Sequence, residues 1–340
     1  MWQIYGQDHL LAQLEASLAQ GRPAHAYLLV GPPHVGKMTL AINLAQAVNC
    51  LEGPGPPCGI CTQCTRIVQG HHADIRVVTV NTAGVESSNR TLIGIEDIRQ
   101  ILRQVHLNPY EGAFSVVIID TAELMSEEAA NALLKTLEEP PPQVLILLLT
   151  ANEEALLPTI RSRCRRLQLL PLSKNQMVEK LVNEHQAQPE DAEKLARLSR
   201  GCFGWALNAL VEESGVLKGR EEALERLNQA CQSGLDSRFA LANEMATLFY
   251  QDRDAAKESL YLWLRWWRDL LLIKEGGEEY IHNTDHQEQL RLQATQLTTL
   301  KIVGFIKRIL DTLEALDSNA SARLALEVLM LDLPLAAAQT

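Results

Sequence analysis

The sequence predicts a doubly wound α/β domain on a parallel sheet, followed by a part made of helices alone. Three observations carry this expectation. An apolar run from Ala26 to Val30 passes through Gly31, Pro32, Pro33, His34, Val35, Gly36, Lys37, Met38 and Thr39 into a stretch with helical spacing. That is the strand, turn and helix context of a phosphate loop. β-branched apolar runs then alternate with helical patterns as far as Val144 to Thr150, which is the rhythm of a parallel sheet. From Leu172 onward the strand-like runs stop.

Composition bounds the alternatives. At 340 residues the chain can bury a large core, and its length suggests two or three domains. Hydrophobic residues make up 46% and charged residues 21%, as in an ordinary globular protein. The amino-terminal residues lack the pattern of a signal peptide and no apolar run reaches spanning length, so no membrane association is expected and the location is expected to be cytoplasmic. A net charge of −11 argues against a protein that grips nucleic acid unaided, because that binding rests on Lys and Arg neutralising phosphates.

Leu10, Leu11, Leu14 and Leu18 form a helical stripe ahead of the first strand. In the loop itself, Gly31 and Gly36 let backbone N–H groups turn towards a polyphosphate, and Lys37 supplies a point charge to it. The next position should carry the hydroxyl that ligates magnesium, and it is Met38. Thr39 lies about 100° further round the helix and should not replace it. ATP or ADP binding is therefore expected, magnesium ligation is disfavoured, and hydrolysis is expected to be weak or absent.

After the loop's helix come Cys50, Cys58, Cys61 and Cys64, four of the chain's seven cysteines. The first is set apart by a Pro/Gly-rich excursion and the others form Cys-x-x-Cys-x-x-Cys. Four thiolates at this spacing suit a closed structural zinc site; an iron–sulfur cluster and a redox pair are the alternatives. His71 and His72 are expected at the surface.

Strands are expected over Ile75 to Val80 and Ser115 to Ile119, with a helix from Ile95 to Val105 between them. Asp120 ends the second of these strands at the edge where ligands of such sheets bind, and is the natural partner for a loop-bound metal. Position 121, where a water-polarising carboxylate would sit, is Thr; Glu123 is a remote substitute. Ser126 is expected to cap a helix that runs to Glu139 and stops at Pro140. Thr150 and Asn152 end the following strand, where a polar group senses a terminal phosphate or simply caps the strand. Arg161, Arg163, Arg165 and Arg166 then concentrate charge in a way that suggests a phosphate-facing edge. Ser173 to Gln176 is a capping-box pattern, Pro189 can open a second helix, and a third is expected from Cys202 to Val211. Trp263, Trp266 and Trp267 share one helical stripe, which fits a bundle core better than a base-stacking platform.

In this order the features resemble the bacterial clamp-loader AAA+ subunits of DNA polymerase III. The resemblance rests on Gly31 to Thr39, the four cysteines, Val116 to Asp120, Asn131 to Pro141 and Ser162-Arg163-Cys164, and covers about residues 4 to 212. It implies an AAA+ P-loop domain over 1–171 with an inserted zinc module at 50–64, a helical lid over 172–212, and an all-α collar over 213–340 that mediates oligomerisation. It also implies a hetero-oligomer with other clamp-loader subunits (gamma/tau and delta) and the sliding clamp, with primed DNA reached through the complex. The chain would be an accessory subunit of a polymerase holoenzyme, with no polymerase site of its own. In the gamma/tau motors the corresponding positions carry a metal-binding hydroxyl, a second acid and a lid arginine; here they are Met38, Thr121 and Gly204. That favours the delta-prime branch, in which Arg163 would act as an arginine finger in a neighbour's ATP site. The competing readings are an active gamma/tau-type ATPase and a zinc-dependent nucleic-acid binder.

Overall fold

The computed structural model describes residues 1–80, 92–105, 108–211, 215–318 and 320–334. Its contacts group the chain into two compact units, Met1–Met177 with Gly201–Trp205, and Val178–Arg200 with Ala206–Thr340.

The first unit alternates helix and strand. Its elements are α1 (Asp8–Ala19), β1 (Ala26–Val30), α2 (Lys37–Asn49), α3 (Thr62–Val68), β2 (Ile75–Val78), α4 (Ile95–Val105), β3 (Ser115–Ile119), α5 (Glu127–Glu138), β4 (Val144–Thr150), α6 (Pro158–Arg161) and β5 (Arg165–Gln168). The sheet order is β2-β3-β4-β1-β5, with every pairing parallel. Parallel neighbours need crossovers, and the helices provide them. Every residue of β1 and β4 is buried, so both faces of the sheet are covered. Alternation divides them: Ala26, Leu28 and Val30 pack with Ile146, Leu148 and the α5 residues Leu133 and Leu137. Tyr27 and Leu29 pack on the other side with Leu14 of α1 and with Leu40 and Leu44 of α2. The second strand stops at Val78 rather than Val80, because its pairing with β3 ends where Val78 meets Ile119.

Ser126 caps α5 by accepting from the Ala129 N–H at 3.2 Å. The capping box ahead of α7 (Lys174–His185) is formed as expected. The Ser173 N–H donates to Gln176 Oε1 at 3.2 Å, and the Gln176 N–H donates to Ser173 Oγ at 3.4 Å. Next come α8 (Pro189–Leu198) and α9 (Phe203–Leu210). The lid-to-collar boundary expected at 212–213 lies outside the described residues.

Most of the second unit is a bundle of α10 (Val216–Gln232), α11 (Leu235–Gln251), α12 (Arg253–Lys274), α13 (Gln287–Gln296), α14 (Thr299–Asp317) and α15 (Ala322–Leu331). The central helix is α12, which packs against α10, α11, α13 and α14. Trp263, Trp266 and Trp267 are buried in its core, where Trp267 tilts against Phe305 with ring centroids 4.6 Å apart. Asp269 is fully buried and fully used: it accepts from the N–H groups of His282 and Asn283, from the Asn283 amide and from Arg268. No described helix is long and apolar enough to cross a membrane.

Candidate nucleotide and metal sites

The phosphate loop leaves β1 at the carboxyl edge of the sheet, and the Gly31 N–H donates to the Thr150 carbonyl at 3.2 Å. That bond ties the loop to the end of β4. His34 and Gly36 both take left-handed backbone (φ 61° and 106°), which turns successive N–H groups towards one side. Gly36 is also the cap of α2, so a residue tolerant of positive φ is required there. The first turn of α2 has no side-chain cap and no acidic residue, which leaves its N–H groups and the helix dipole available to an anion.

Lys37 Nζ donates to the carbonyls of Gly31 at 2.6 Å and Pro32 at 2.9 Å. Burial pushes its pKa down, opposed by the nearby carboxylates of Glu123 and Asp120. Met38 packs against the apolar layer formed by α1, α2 and the sheet, and Thr39 is exposed. Pro32, Pro33 and Val35 complete the loop.

Asp120 stands at the end of β3, where its Oδ1 accepts from the Thr121 N–H at 3.0 Å. Thr121 itself is left-handed (φ 50°). The short 3₁₀ turn Ala122–Leu124 then brings Glu123 back to the site. Its Oε1 accepts from the Ala151 N–H at 3.0 Å, and its Oε2 is buried without a hydrogen bond. Spacing along an extended strand gives this carboxylate little weight; the turn after Asp120 is what places it near Lys37. Thr150 is buried and its Oγ1 accepts from the Asn152 N–H at 3.0 Å, while Asn152 Oδ1 accepts from the Glu154 N–H at 3.2 Å. Both therefore act as caps at the loop's edge of the sheet.

Two contacts close around the loop. The Gly204 N–H donates to the His34 carbonyl at 3.0 Å, and a Cβ on Gly204 would stand 2.9 Å from that same oxygen. Tyr5 meets Phe203 edge to face at 4.7 Å between centroids. Gln7 clamps the chain at Leu170 through both atoms of its amide, donating at 2.6 Å and accepting at 3.3 Å.

At the far end of α2, the ligand atoms of Cys50, Cys58, Cys61 and Cys64 lie within 4.8 Å of one another. Tetrahedral zinc–thiolate geometry places sulfurs roughly 3.8 Å apart, so the donor set and spacing fit zinc with a small contraction. Backbone N–H groups of Cys58, Cys61 and Cys64 point at the sulfurs of Cys50, Cys58 and Cys61 at 3.3–3.5 Å, as thiolates require. Burial opposes ionisation of Cys61, yet hydrogen bonds from the Leu51 and Cys64 backbone outweigh it and hold the thiol at about 6. Burial pushes Cys64 up to about 12, helped by its neighbours Cys61 and Cys50. The module is tied to the loop's helix by Gln46, buried on α2, which donates to the Cys64 carbonyl at 2.9 Å. His71 is exposed, but His72 is buried, contrary to expectation. Its ring pairs with Gln63 Oε1 at 2.6 Å and accepts from the Asp74 N–H at 3.1 Å.

Three of the four arginines in the 161–166 run have carboxylate partners: Arg161 with Glu154 (2.8 Å), Arg163 with Glu138 (2.7 Å) and Arg166 with Glu153 (2.7 Å). The run is thus less of a bare cationic edge than its sequence suggests. Cys164 packs against the sheet core, and burial pushes its thiol up to about 12.

Residues 6–173 match the family model described as "DNA polymerase III, delta subunit". The chain is 27% identical over 331 residues to the DNA polymerase III subunit delta' of Bacillus subtilis, covering 96% of this chain and 95% of that one. It is 35% identical over 245 residues to the DNA polymerase III subunit tau of Escherichia coli, covering 70% of this chain and 36% of that one, so it spans about a third of tau's length. Among solved structures, a DNA polymerase III gamma subunit-related protein of Thermotoga maritima aligns over 95% of this chain and 97% of that one, with 21% identity and a TM-score of 0.45.

Proposed function

Since the chain belongs to the clamp-loader subunit family of DNA polymerase III, we propose that it is a delta-prime-type subunit that helps place a sliding clamp on primed DNA. On this reading it works in the cytoplasm, in a hetero-oligomer with gamma/tau-type and delta-type subunits, and meets DNA through that complex. Residues 1–171 form the nucleotide-binding part, 172–212 a lid and 213–340 the collar through which subunits assemble.

The observation that carries the branch assignment is Met38. It takes the position of the metal-ligating hydroxyl and packs into the core layer beside an otherwise well-formed loop. Thr121 in place of a carboxylate adds to this, and so does Gly204, which stands where a lid arginine would and whose Cβ would crowd the His34 carbonyl. A loop of this kind supports binding of ATP or ADP through its N–H groups and Lys37 while lacking the parts that polarise water. Zinc, when held by the four cysteines, supplies a fixed cross-link for the Pro/Gly-rich excursion. Arg163 would serve the site of a neighbouring subunit, where a guanidinium on the transferring phosphoryl group stabilises its charge.

Steady-state turnover of the isolated chain and of the reconstituted complex tests this proposal. The isolated chain should hydrolyse little ATP, and the complex should lose clamp- and DNA-stimulated hydrolysis when Arg163 is replaced by Ala. Turnover by the isolated chain at the rate of a working motor would instead support the gamma/tau-type reading. The observation in favour of that second reading is Glu123, whose buried carboxylate lies near Lys37.

A further inference from the structure

We propose that Glu138 is a positioning residue for Arg163, an inference that rests on the trans-acting role proposed above. Arg163 sits in the turn between α6 and β5, and its guanidinium is held from two sides. One terminal nitrogen donates to the Thr159 carbonyl at 2.9 Å, and the other donates to Glu138 Oε1 at 2.7 Å. Among the described residues Nε makes no hydrogen bond, and the side chain is 34% exposed. A guanidinium presents five N–H donors in a rigid fork, so holding both terminal nitrogens leaves Nε–H aimed in a fixed direction to meet a phosphoryl oxygen.

Both supports are themselves anchored. Glu138 is the last residue of α5, directly after Leu137, and Leu133 and Leu137 are buried in the sheet core. Thr159 belongs to α6, whose Ile160 is fully buried and which packs against α5. The helix ends at Glu138 because Pro140 and Pro141 follow, so the carboxylate is delivered at a fixed point rather than from a mobile loop.

An exposed pair of this kind contributes little to stability. Its value lies in removing the rotamer freedom of a long side chain before a phosphate arrives, and a reacting group displaced by about 1 Å can cost on the order of a hundredfold in rate. The folded state should therefore barely register the loss of Glu138, whereas hydrolysis in the assembled complex should.

The experiment measures kcat and KM for ATP in the reconstituted clamp-loader complex carrying Glu138→Ala, Glu138→Gln, Arg163→Ala or the Glu138→Ala/Arg163→Ala pair. Glu138→Ala should lower kcat on the order of ten- to a hundredfold with KM little changed. Glu138→Gln should retain part of the rate, because its amide oxygen still accepts. The double variant should be no slower than Arg163→Ala alone. In the isolated chain, the Arg163 Nε–H resonance should broaden or average on Glu138→Ala. If Arg163→Ala is slow while Glu138→Ala turns over at the parental rate, or if the two losses multiply, the positioning role is wrong and the finger stands. If Arg163→Ala is itself unimpaired, the finger is wrong and Glu138 has nothing to position.

Discussion

Gly204 donates its backbone N–H to the carbonyl of His34 at 3.0 Å, so the residues that open the helix at Phe203 touch the phosphate loop directly. A Cβ at this position would meet that carbonyl oxygen at 2.9 Å, and the oxygen belongs to backbone that cannot swing aside. Gly204→Ala should improve local helix propensity by about 1 kcal/mol yet destabilise overall, because the loop or the helix must shift at a cost of about 1–3 kcal/mol. Urea unfolding should show the net loss, and nucleotide titration of the same variant should show weaker binding. A variant as stable as the parent would mean that the helix moves off the loop freely.

Much of this site was legible in the sequence, for a physical reason. A phosphate loop, a strand-terminal Asp120 and a Cys-x-x-Cys-x-x-Cys run are local patterns whose geometry is set by the residues themselves. Glu123 stood out only as a remote substitute and Glu138 not at all, because their roles depend on where a 3₁₀ turn and the end of α5 fall relative to Ala151 and Arg163. The ion pairs of the arginine run were not legible for the same reason, since Glu138, Glu153 and Glu154 approach it from other elements. His72 looked like a surface residue because its ring partner Gln63 lies on a separate element, α3, whose Ile67 is buried against α2 and the sheet. Beyond Leu172 the helices and the tryptophan core followed from periodicity, but the buried Asp269 network did not, because it joins α12 to a turn more than ten residues away.

Metal content is the second prediction. Purified protein should carry zinc at about one ion per chain, and chelation should expose the cysteines to thiol reagents. Because Gln46 links Cys64 to the helix that begins at Lys37, chelation should also raise hydrogen exchange along α2. Cys58→Ser should reproduce both effects. Protein purified without reducing or chelating agents that contains no metal would refute the assignment.

Asp74 governs acid stability in the first unit. Burial alone would raise its pKa, but N–H groups of Tyr110, Glu111 and Gly112 converge on the carboxylate at 2.7–2.9 Å and hold it below the usual range. A depressed folded pKa means stability that is present above the unfolded value near 3.9 and lost as pH falls through the folded one. Asp74→Asn leaves an amide N–H facing a backbone N–H and should cost about 2–3 kcal/mol at neutral pH. The penalty should shrink as pH falls below the unfolded value and the parental carboxyl is itself protonated; a penalty independent of pH would locate the effect in packing instead.

His282 acts in a different pH window and on the second unit. Burial lowers its pKa to about 4 from 6.5, aided by the positive charges of Arg268, Arg200 and Arg265 and opposed by Asp269. The neutral ring is also the form that can accept from Arg268, whose guanidinium nitrogen lies 3.4 Å from Nδ1. The unfolded chain therefore takes up a proton near pH 6.5 that the folded chain refuses until about pH 4. Stability from this group is complete above the upper value, declines as pH falls between the two, and is flat below the lower one. His282→Gln cannot titrate, so its unfolding midpoint should decline less than the parent's between pH 7 and 4.5, with the two curves running parallel above pH 7. Asp74 cannot produce that difference, because its window opens only below pH ~4. If the parent and His282→Gln lose stability equally over this interval, the buried neutral histidine is not what makes the helical unit acid-sensitive.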